Sequence, residues 1–337
     1  METSSSPISR RDFVKSGSAV LGGAVLAASA GQARASEPTG NVQVPQVVLG
    51  RTGAKVSRLG IGCAYFQRKR VTPDDVTRTL HRALELGVNY LDAAPNYGNE
   101  ETGFAEEKMG PAVRELRDKF FLVTKTEENT YEGTWRLLRQ SMKRMQTDRI
   151  DLVHLHNFGD AKQWGDRKLV FGDKGAMGAL REAKRQGVVR FIGASGHVHP
   201  TRFHEALDSG EIDVLMNAVN FVVRHTYDFE HKVWSRAQSL NVGLVAMKVL
   251  GGASRQDTGG FKVDEKYYEQ AIRYALSVPG ISVAVIGMET SAEIEKAAAI
   301  VAQNQPLSPE ESLEIARIGL ELSTRPEWKT PYGTPIA

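Results

Sequence analysis

The sequence predicts a closed (β/α)8 barrel in the α/β class, and three observations carry that expectation. Short β-branched runs alternate with amphipathic helical stretches up to about residue 304. Eight such runs are present, which favours a closed barrel over an open doubly wound sheet. No linker interrupts the alternation, so one catalytic domain is expected across residues 45–325. The composition agrees: 337 residues, 41% hydrophobic and 25% charged, belong to a globular chain rather than a collagenous, disordered or polytopic membrane one. Thirty-two glycines suit a chain with many tight strand–helix turns.

In chain order, strands are expected at Leu59–Gly62, Asn89–Asp92, Phe121–Lys125, Ile150–Leu155, Val189–Ala194, Val214–Ala218, Gly243–Met247 and Val283–Ile286. The first helix is announced by Thr72-Pro73-Asp74-Asp75, which places a capping Thr, a first-turn Pro and an acid at the third helical position. Val76, Leu80, Ala83 and Leu84 share one face before Gly87 ends it. Ser308-Pro309-Glu310-Glu311 opens an extra C-terminal helix by the same device, with Leu313, Ile315, Ala316, Leu320 and Leu322 as its apolar residues. The tail, residues 326–337, carries Trp328 and Tyr332; two outcomes are open, folding over the barrel mouth or fraying.

Residues 1–35 read as an address rather than as part of the fold. Arg10-Arg11-Asp12-Phe13-Val14-Lys15 precedes a Gly/Ala-rich, weakly apolar run, and Ala33-Arg34-Ala35 supplies a small-x-small cleavage pattern. At about 15 residues the run is short for a bilayer span, so no stable membrane insertion is expected after cleavage. These features resemble a bacterial twin-arginine (Tat) signal, which implies the Tat export machinery as a partner and a periplasmic location. Residues 36–44 form a polar linker. The full chain carries a formal +3, and the removed piece takes four basic and two acidic residues with it. The near-neutral remainder has no basic footprint for nucleic acid. A single cysteine, Cys63, excludes an internal disulfide framework, and in an oxidising compartment it should be buried.

Two cofactor motifs are missing. Leu59-Gly60-Ile61-Gly62-Cys63 lacks the third glycine of a dinucleotide fingerprint, and no phosphate-binding P-loop is present. The pairs His154/His156 and His197/His199 lack ligand spacing to carboxylates or cysteines, so no metal site is expected. In a barrel, chemistry belongs at the C-terminal ends of strands. Asp92 closes the second strand, Lys125 the third and His156 the fourth, and Tyr97 lies five residues beyond Asp92. Singly, Asp92 and Lys125 would read as a structural ion pair, Tyr97 as a packing aromatic and His156 as a core histidine. Together, at adjoining strand ends, they read as a catalytic set.

The motifs resemble the aldo-keto reductase family through nearly the whole chain after the linker. Val48–Gly53 followed by Val56–Gly62 is similar to its opening β-hairpin and first strand, Leu91–Gly98 to its Asp–Tyr motif, Val123-Thr124-Lys125 to its lysine motif, Asp151–His156 to its histidine motif, and Phe191–Ser195 to its fifth strand. The resemblance implies hydride transfer between NAD(P)H and the carbonyl of an aldehyde, ketone or sugar. Tyr97 would be the general acid. Lys125 would lower its pKa from the usual value of about 10. Asp92 would hold Lys125, and His156 would orient the carbonyl oxygen. Cofactor contacts are implied at Gly62, Cys63, Asp92, Ser195, Asn217, Met247, Lys248, Leu250, Gly287, Met288 and Glu293. Here Gly196 replaces the usual Asn, Asn217 the usual Gln, and Met247 the stacking aromatic, while Lys248 would meet the pyrophosphate.

Glu289 and Glu293 make the eighth-strand turn acidic, which leans towards NAD(H) over NADP(H) unless basic residues arrive from other loops. Phe66, Gln67, Trp164, Phe171 and Tyr227 are candidate pocket walls, and the long stretch Asn157–Gly175 is a candidate substrate loop. The leading reading is an exported carbonyl reductase or alcohol dehydrogenase. The alternative is a cofactor-binding sensor or partner with little turnover on the same barrel.

Overall fold

The computed structural model describes residues 42–252, 262–329 and 331–332. The expected signal peptide and most of the linker lie outside the described residues. A hairpin comes first: β1 (Gln46–Val48) pairs antiparallel with β2 (Lys55–Ser57). The barrel opens with β3 (Leu59–Gly62) and β4 (Tyr90–Asp92). A small antiparallel hairpin, β5 (Gly98–Asn99) with β6 (Gly103–Phe104), interrupts before β7 (Phe121–Thr126). The series continues with β8 (Ile150–Leu155), β9 (Val189–Gly196), β10 (Val214–Ala218), β11 (Gly243–Met247) and β12 (Ile281–Gly287). Eight strands, from β3 and β4 through β7 to β12, pair in parallel and in sequence, and β12 closes on β3. The expected barrel is therefore the observed one. Four of its strands, β3, β8, β10 and β11, have the bounds read from the sequence.

The helices follow as α1 (Pro73–Glu85), α2 (Ala105–Leu116), α3 (Tyr131–Arg144), α4 (Ala161–Trp164), α5 (Arg167–Phe171), α6 (Ala176–Arg185), α7 (Phe203–Asp208), α8 (Ser235–Ser239), α9 (Tyr268–Ser277), α10 (Ser291–Gln303), α11 (Pro309–Ser323) and α12 (Pro326–Lys329). Helix α1 starts where its signals place it. Asp75 N–H donates to Thr72 Oγ1 at 3.2 Å, and Thr72 N–H donates to the Asp75 carboxylate at 2.9 Å. The extra helix α11 carries the same reciprocal cap. It buries Ile315, Ile318 and Gly319, whereas Leu313 and Leu320 face solvent, so its apolar face is narrower than expected.

The period of two along each strand builds the interior. Tyr90, Phe121, Val123, Leu152, Val214, Met216, Val245, Val283 and Val285 fill the barrel, with Leu49 and Val56 of the hairpin plugging its lower end. Tyr90 and Phe121 stack at 5.4 Å between centroids. Two residues above Tyr90 and Val123 on the same inward face stand Asp92 and Lys125, so the rule that fills the core also delivers the charged groups to the mouth. At the opposite end, Asp151 on β8 is buried and tied by Arg117 at 2.8 Å, Arg190 at 2.6 Å and Leu122 N–H at 2.9 Å. A carboxylate so enclosed is tolerated only with this full set of partners.

Candidate active site

Lys125 is the hub of the mouth. Its ammonium donates to Asp92 Oδ1 at 2.7 Å, to the Ala93 carbonyl at 2.7 Å and to the Tyr97 hydroxyl at 3.1 Å. Asp92 and Lys125 are buried, and Tyr97 is half-buried. The Tyr97 loop is fixed from behind: Arg144 on α3 donates to the Pro95 carbonyl at 2.8 Å, and Ala105 N–H donates to the Tyr97 carbonyl at 2.8 Å. Gly98 has φ +115°, and a Cβ there would lie 2.1 Å from the Gly103 carbonyl, so only glycine can follow Tyr97 in this turn.

His156 follows β8 and faces Tyr97 edge-on, with ring centroids 6.4 Å apart. Its Nδ1 lies 2.8 Å from Glu127 Oε1. Its backbone is held by Trp164 Nε1–H, which donates to the His156 carbonyl at 2.7 Å. The four residues expected to act together are thus brought together. Glu127 joins them, and sequence reasoning missed it. Its signal was the strand period, since Glu127 stands two residues beyond Lys125. Asn96 donates to the same carboxylate.

Burial is the dominant electrostatic influence. It lowers Lys125, but Asp92 and Tyr97 together outweigh it and keep the ammonium charged, above the usual lysine range. Burial pushes the Tyr97 phenol above its usual value; Lys125 opposes this without reversing it. Lys125 does exert the expected lowering on Tyr97, but withdrawal from water acts more strongly than the neighbouring charge, so the net shift is upward. Burial also holds His156 below its usual value against the pull of Glu127, so the ring is neutral near pH 7. Lys248 is pushed down to about 8, first by burial and then by Lys125.

The dinucleotide contacts expected from the sequence fall into two groups. Ser195, Lys248, Gly62 and Gly287 suit a bound nicotinamide nucleotide. Ser195 Oγ is buried without a hydrogen-bond partner, a rare condition that a carboxamide would relieve. The Lys248 ammonium has no partner among the described residues. Gly62 and Gly287 face each other across β3 and β12, and a Cβ on Gly287 would strike the Tyr65 ring at 2.5 Å. Met247 lies at the top of the interior cluster, and Leu250 is half-buried beyond it.

The other group is already engaged. Asn217 is buried, donates to the Gly196 carbonyl at 3.3 Å and accepts from Trp234 Nε1–H at 2.9 Å. Cys63 is sealed, with its thiol directed to the Ile61 carbonyl, and Met288 is buried. Glu293 caps α10, accepting from the Glu289 and Thr290 N–H groups.

Two further expectations are corrected. Phe66, Trp164 and Tyr227 are fully buried supports rather than pocket walls. The lean towards NAD(H) rested on a bare acidic turn, but Glu289 is clasped by Arg68, at 2.9 Å, and by Arg70. These arginines come from the loop after β3, so the turn's charge is neutralised from across the barrel seam. In the tail, Trp328 is buried. The Tyr332 ring packs at a tilt on His197, with centroids 4.9 Å apart, and Tyr332 donates its N–H to the Tyr227 hydroxyl at 3.1 Å, which brings this segment against the mouth.

A closed parallel barrel whose mouth gathers a phenol, an ammonium, a carboxylate and an imidazole defines a barrel oxidoreductase. The profile of the Aldo/keto reductase family matches residues 58–264, and the chain belongs to that family. It is 25% identical over 292 residues to an L-galactose dehydrogenase of Arabidopsis thaliana, covering 77% of this chain and 88% of that protein. A methylglyoxal reductase of Salmonella typhimurium is 26% identical over 257 residues, covering 74% and 90%. Among solved structures, a Pseudomonas aeruginosa protein described as an aldo-keto reductase matches with a TM-score of 0.63 at 25% identity, over 78% of this chain and 97% of that one. An aldo/keto reductase of Klebsiella pneumoniae in complex with NADP and acetate shares the fold, with a TM-score of 0.65 at 20% identity over 87% and 96%. Among the described residues, no helix is long and apolar enough to cross a membrane.

Proposed function

We propose that the chain is an NADP(H)-dependent carbonyl reductase or alcohol dehydrogenase in which Tyr97 exchanges the substrate proton. The observation that carries this reading is the Lys125 ammonium held between Asp92 and the Tyr97 hydroxyl, at 2.7 and 3.1 Å. When bound, the nicotinamide supplies or accepts the hydride. Tyr97 keeps its proton at neutral pH because burial raises it, the state required of an acid. As the carbonyl oxygen gains charge, the phenol transfers that proton, and Lys125 stabilises the phenolate left behind. Asp92 keeps the ammonium charged and in place. Ser195 and Lys248 would hold the carboxamide and the pyrophosphate. Arg68 and Arg70 favour NADP(H), because two guanidiniums against one Glu289 carboxylate leave positive charge for a 2′-phosphate. The relatives' names, a sugar dehydrogenase and a dicarbonyl reductase, support small oxygenated substrates.

The test is Tyr97→Phe. Turnover should fall by at least about a thousandfold while NADPH still binds, as followed by its fluorescence. Normal turnover in that variant refutes the assignment. A wild-type protein that binds NADPH tightly but turns over none of a panel of aldehydes, ketones and sugars would instead favour the sensor or partner reading. We also propose Tat export to the periplasm, supported by Arg10-Arg11 and Ala33-Arg34-Ala35. Cell fractionation tests it, and accumulation of uncleaved protein in the cytoplasm would refute it.

A further inference from the structure

Lys108 stands in the first turn of α2, buried, with no carboxylate in ion-pair reach among the described residues. A buried lysine ordinarily answers to a carboxylate. This one answers to two main-chain carbonyls, donating to that of Arg68 at 2.9 Å and to that of Thr102 at 3.0 Å. Its stem passes Gly103, which has φ +77° and where a Cβ would stand 3.1 Å from Lys108 Cε. Charge does not explain the placement, because a buried ammonium without a counter-ion is costly. Geometry does: one group clamps two separate backbones.

Each of those backbones leads directly to a functional side chain. On one side, the guanidinium of Arg68 reaches Glu289 at 2.9 Å and lies 4.1 Å over the Tyr65 ring, while its carbonyl also accepts from Val71 N–H at 2.9 Å. On the other, Thr102 sits in the turn between β5 and β6, where its N–H and that of Glu101 donate to Asn99 Oδ1. Both ends of that hairpin are tied to Tyr97. Strand β5 follows it directly, and Ala105 N–H, just past β6, donates to its carbonyl at 2.8 Å. We infer that Lys108 is a positioning residue that couples the Arg68 loop to the Tyr97 hairpin, so that a dinucleotide gripped through its 2′-phosphate also steadies the general acid. The inference rests on the NADP(H) reading above. Binding at a part of the cofactor remote from the hydride then helps to orient the proton donor. NADH, which lacks that phosphate, holds Arg68 less firmly and leaves the hairpin looser.

The experiment has two arms, both on the full chain, and compares the wild type with Lys108→Met, which keeps the stem and removes the donor. In the first, hydrogen exchange of peptides covering residues 98–104 is followed by mass spectrometry under saturating NADPH or NADH. In the wild type, NADPH should slow exchange there about fivefold more than NADH. In Lys108→Met the two cofactors should protect the hairpin equally, while peptides around Arg68 still favour NADPH. If Lys108→Met does not fold, Lys108→Gln takes its place with the same expected loss, because its amide is too short to bridge both carbonyls. Equal protection by the two cofactors in the wild type, or an NADPH advantage that survives in the variant, overturns the inference. In the second arm, single-turnover oxidation of each cofactor by methylglyoxal is timed by stopped flow. The wild type should react at least about fivefold faster with saturating NADPH than with NADH, and that ratio should fall towards unity in the variant. A merely structural role would slow both cofactors alike and preserve the ratio; that result overturns the inference and leaves the reductase reading intact. Absence of oxidation with either cofactor counts against the reductase reading, and the exchange arm then decides the coupling alone. Failure to bind either dinucleotide refutes both.

Discussion

Replacing Lys248 with methionine should make the protein more stable and a poorer dinucleotide binder at once. Lys248 sits in the left-handed region, φ +58°, where its carbonyl accepts from Asn220 Nδ2 at 2.9 Å and from Gly251 N–H at 2.8 Å. Those bonds fix the backbone irrespective of the side chain. The ammonium has no partner among the described residues, and burial followed by Lys125 takes it from 10.5 to about 8. Keeping such a group charged at pH 7 costs the fold up to about 3 kcal/mol. Methionine keeps the stem without the charge, so Tm should rise by several degrees for a domain of this size.

The sign of the pH dependence follows. The penalty is complete below about pH 8, fades as pH rises towards 10.5, and is gone where the lysine is neutral in both folded and unfolded chains. The stability gap between variant and wild type must therefore narrow across that window. Loss of a charge-assisted contact to phosphate should weaken NADPH binding by about ten- to a hundredfold. Thermal melts at pH 7 and pH 9.5, with fluorescence titration of NADPH, measure both effects. A lower Tm at pH 7 would refute the uncompensated burial; unchanged NADPH affinity would refute the phosphate contact.

The double variant Arg68→Ala/Arg70→Ala leaves Glu289 bare at the turn. NADPH binding should weaken by at least about tenfold and NADH by less than about threefold, by isothermal titration; equal losses would remove the arginines from cofactor selection. Asp151→Ala opens the buried network at the lower end of the barrel. It should cost about 3–5 kcal/mol in denaturant unfolding with little change in KM, since uncompensated Arg117 is left behind far from the mouth. A loss below about 1 kcal/mol would show that the network contributes little.

Much of this was legible because strands carry a local signature. Residues such as Val153, Ile192 and Val283 mark their strands without reference to anything distant, and the period of two that points Tyr90 inward also points Asp92 inward. The eighth strand began earlier than expected, at Ile281, because Ser282 dilutes the apolar run. What could not be read depends on who meets whom. Arg68 and Glu289 are separated by 221 positions, and no local pattern joins them. Trp164 and Tyr227 read as pocket walls because they lie in loops, yet tertiary packing seals them. The direction in which Tyr97 shifts turned on depth of burial, which motif spacing does not encode. Glu127 was within reach: continuing the alternation one step past Lys125 would have found it.

The sealed state of Cys63 has a practical side. The chain has one sulfhydryl, and it is inaccessible, with its pKa driven well up by burial and so poorly nucleophilic. The native protein is accordingly a clean background for maleimide chemistry. A cysteine introduced on the rim, at Asn99 for instance, would take a fluorophore alone, and its emission would report loop movements around the opening without any need to mutate the native thiol.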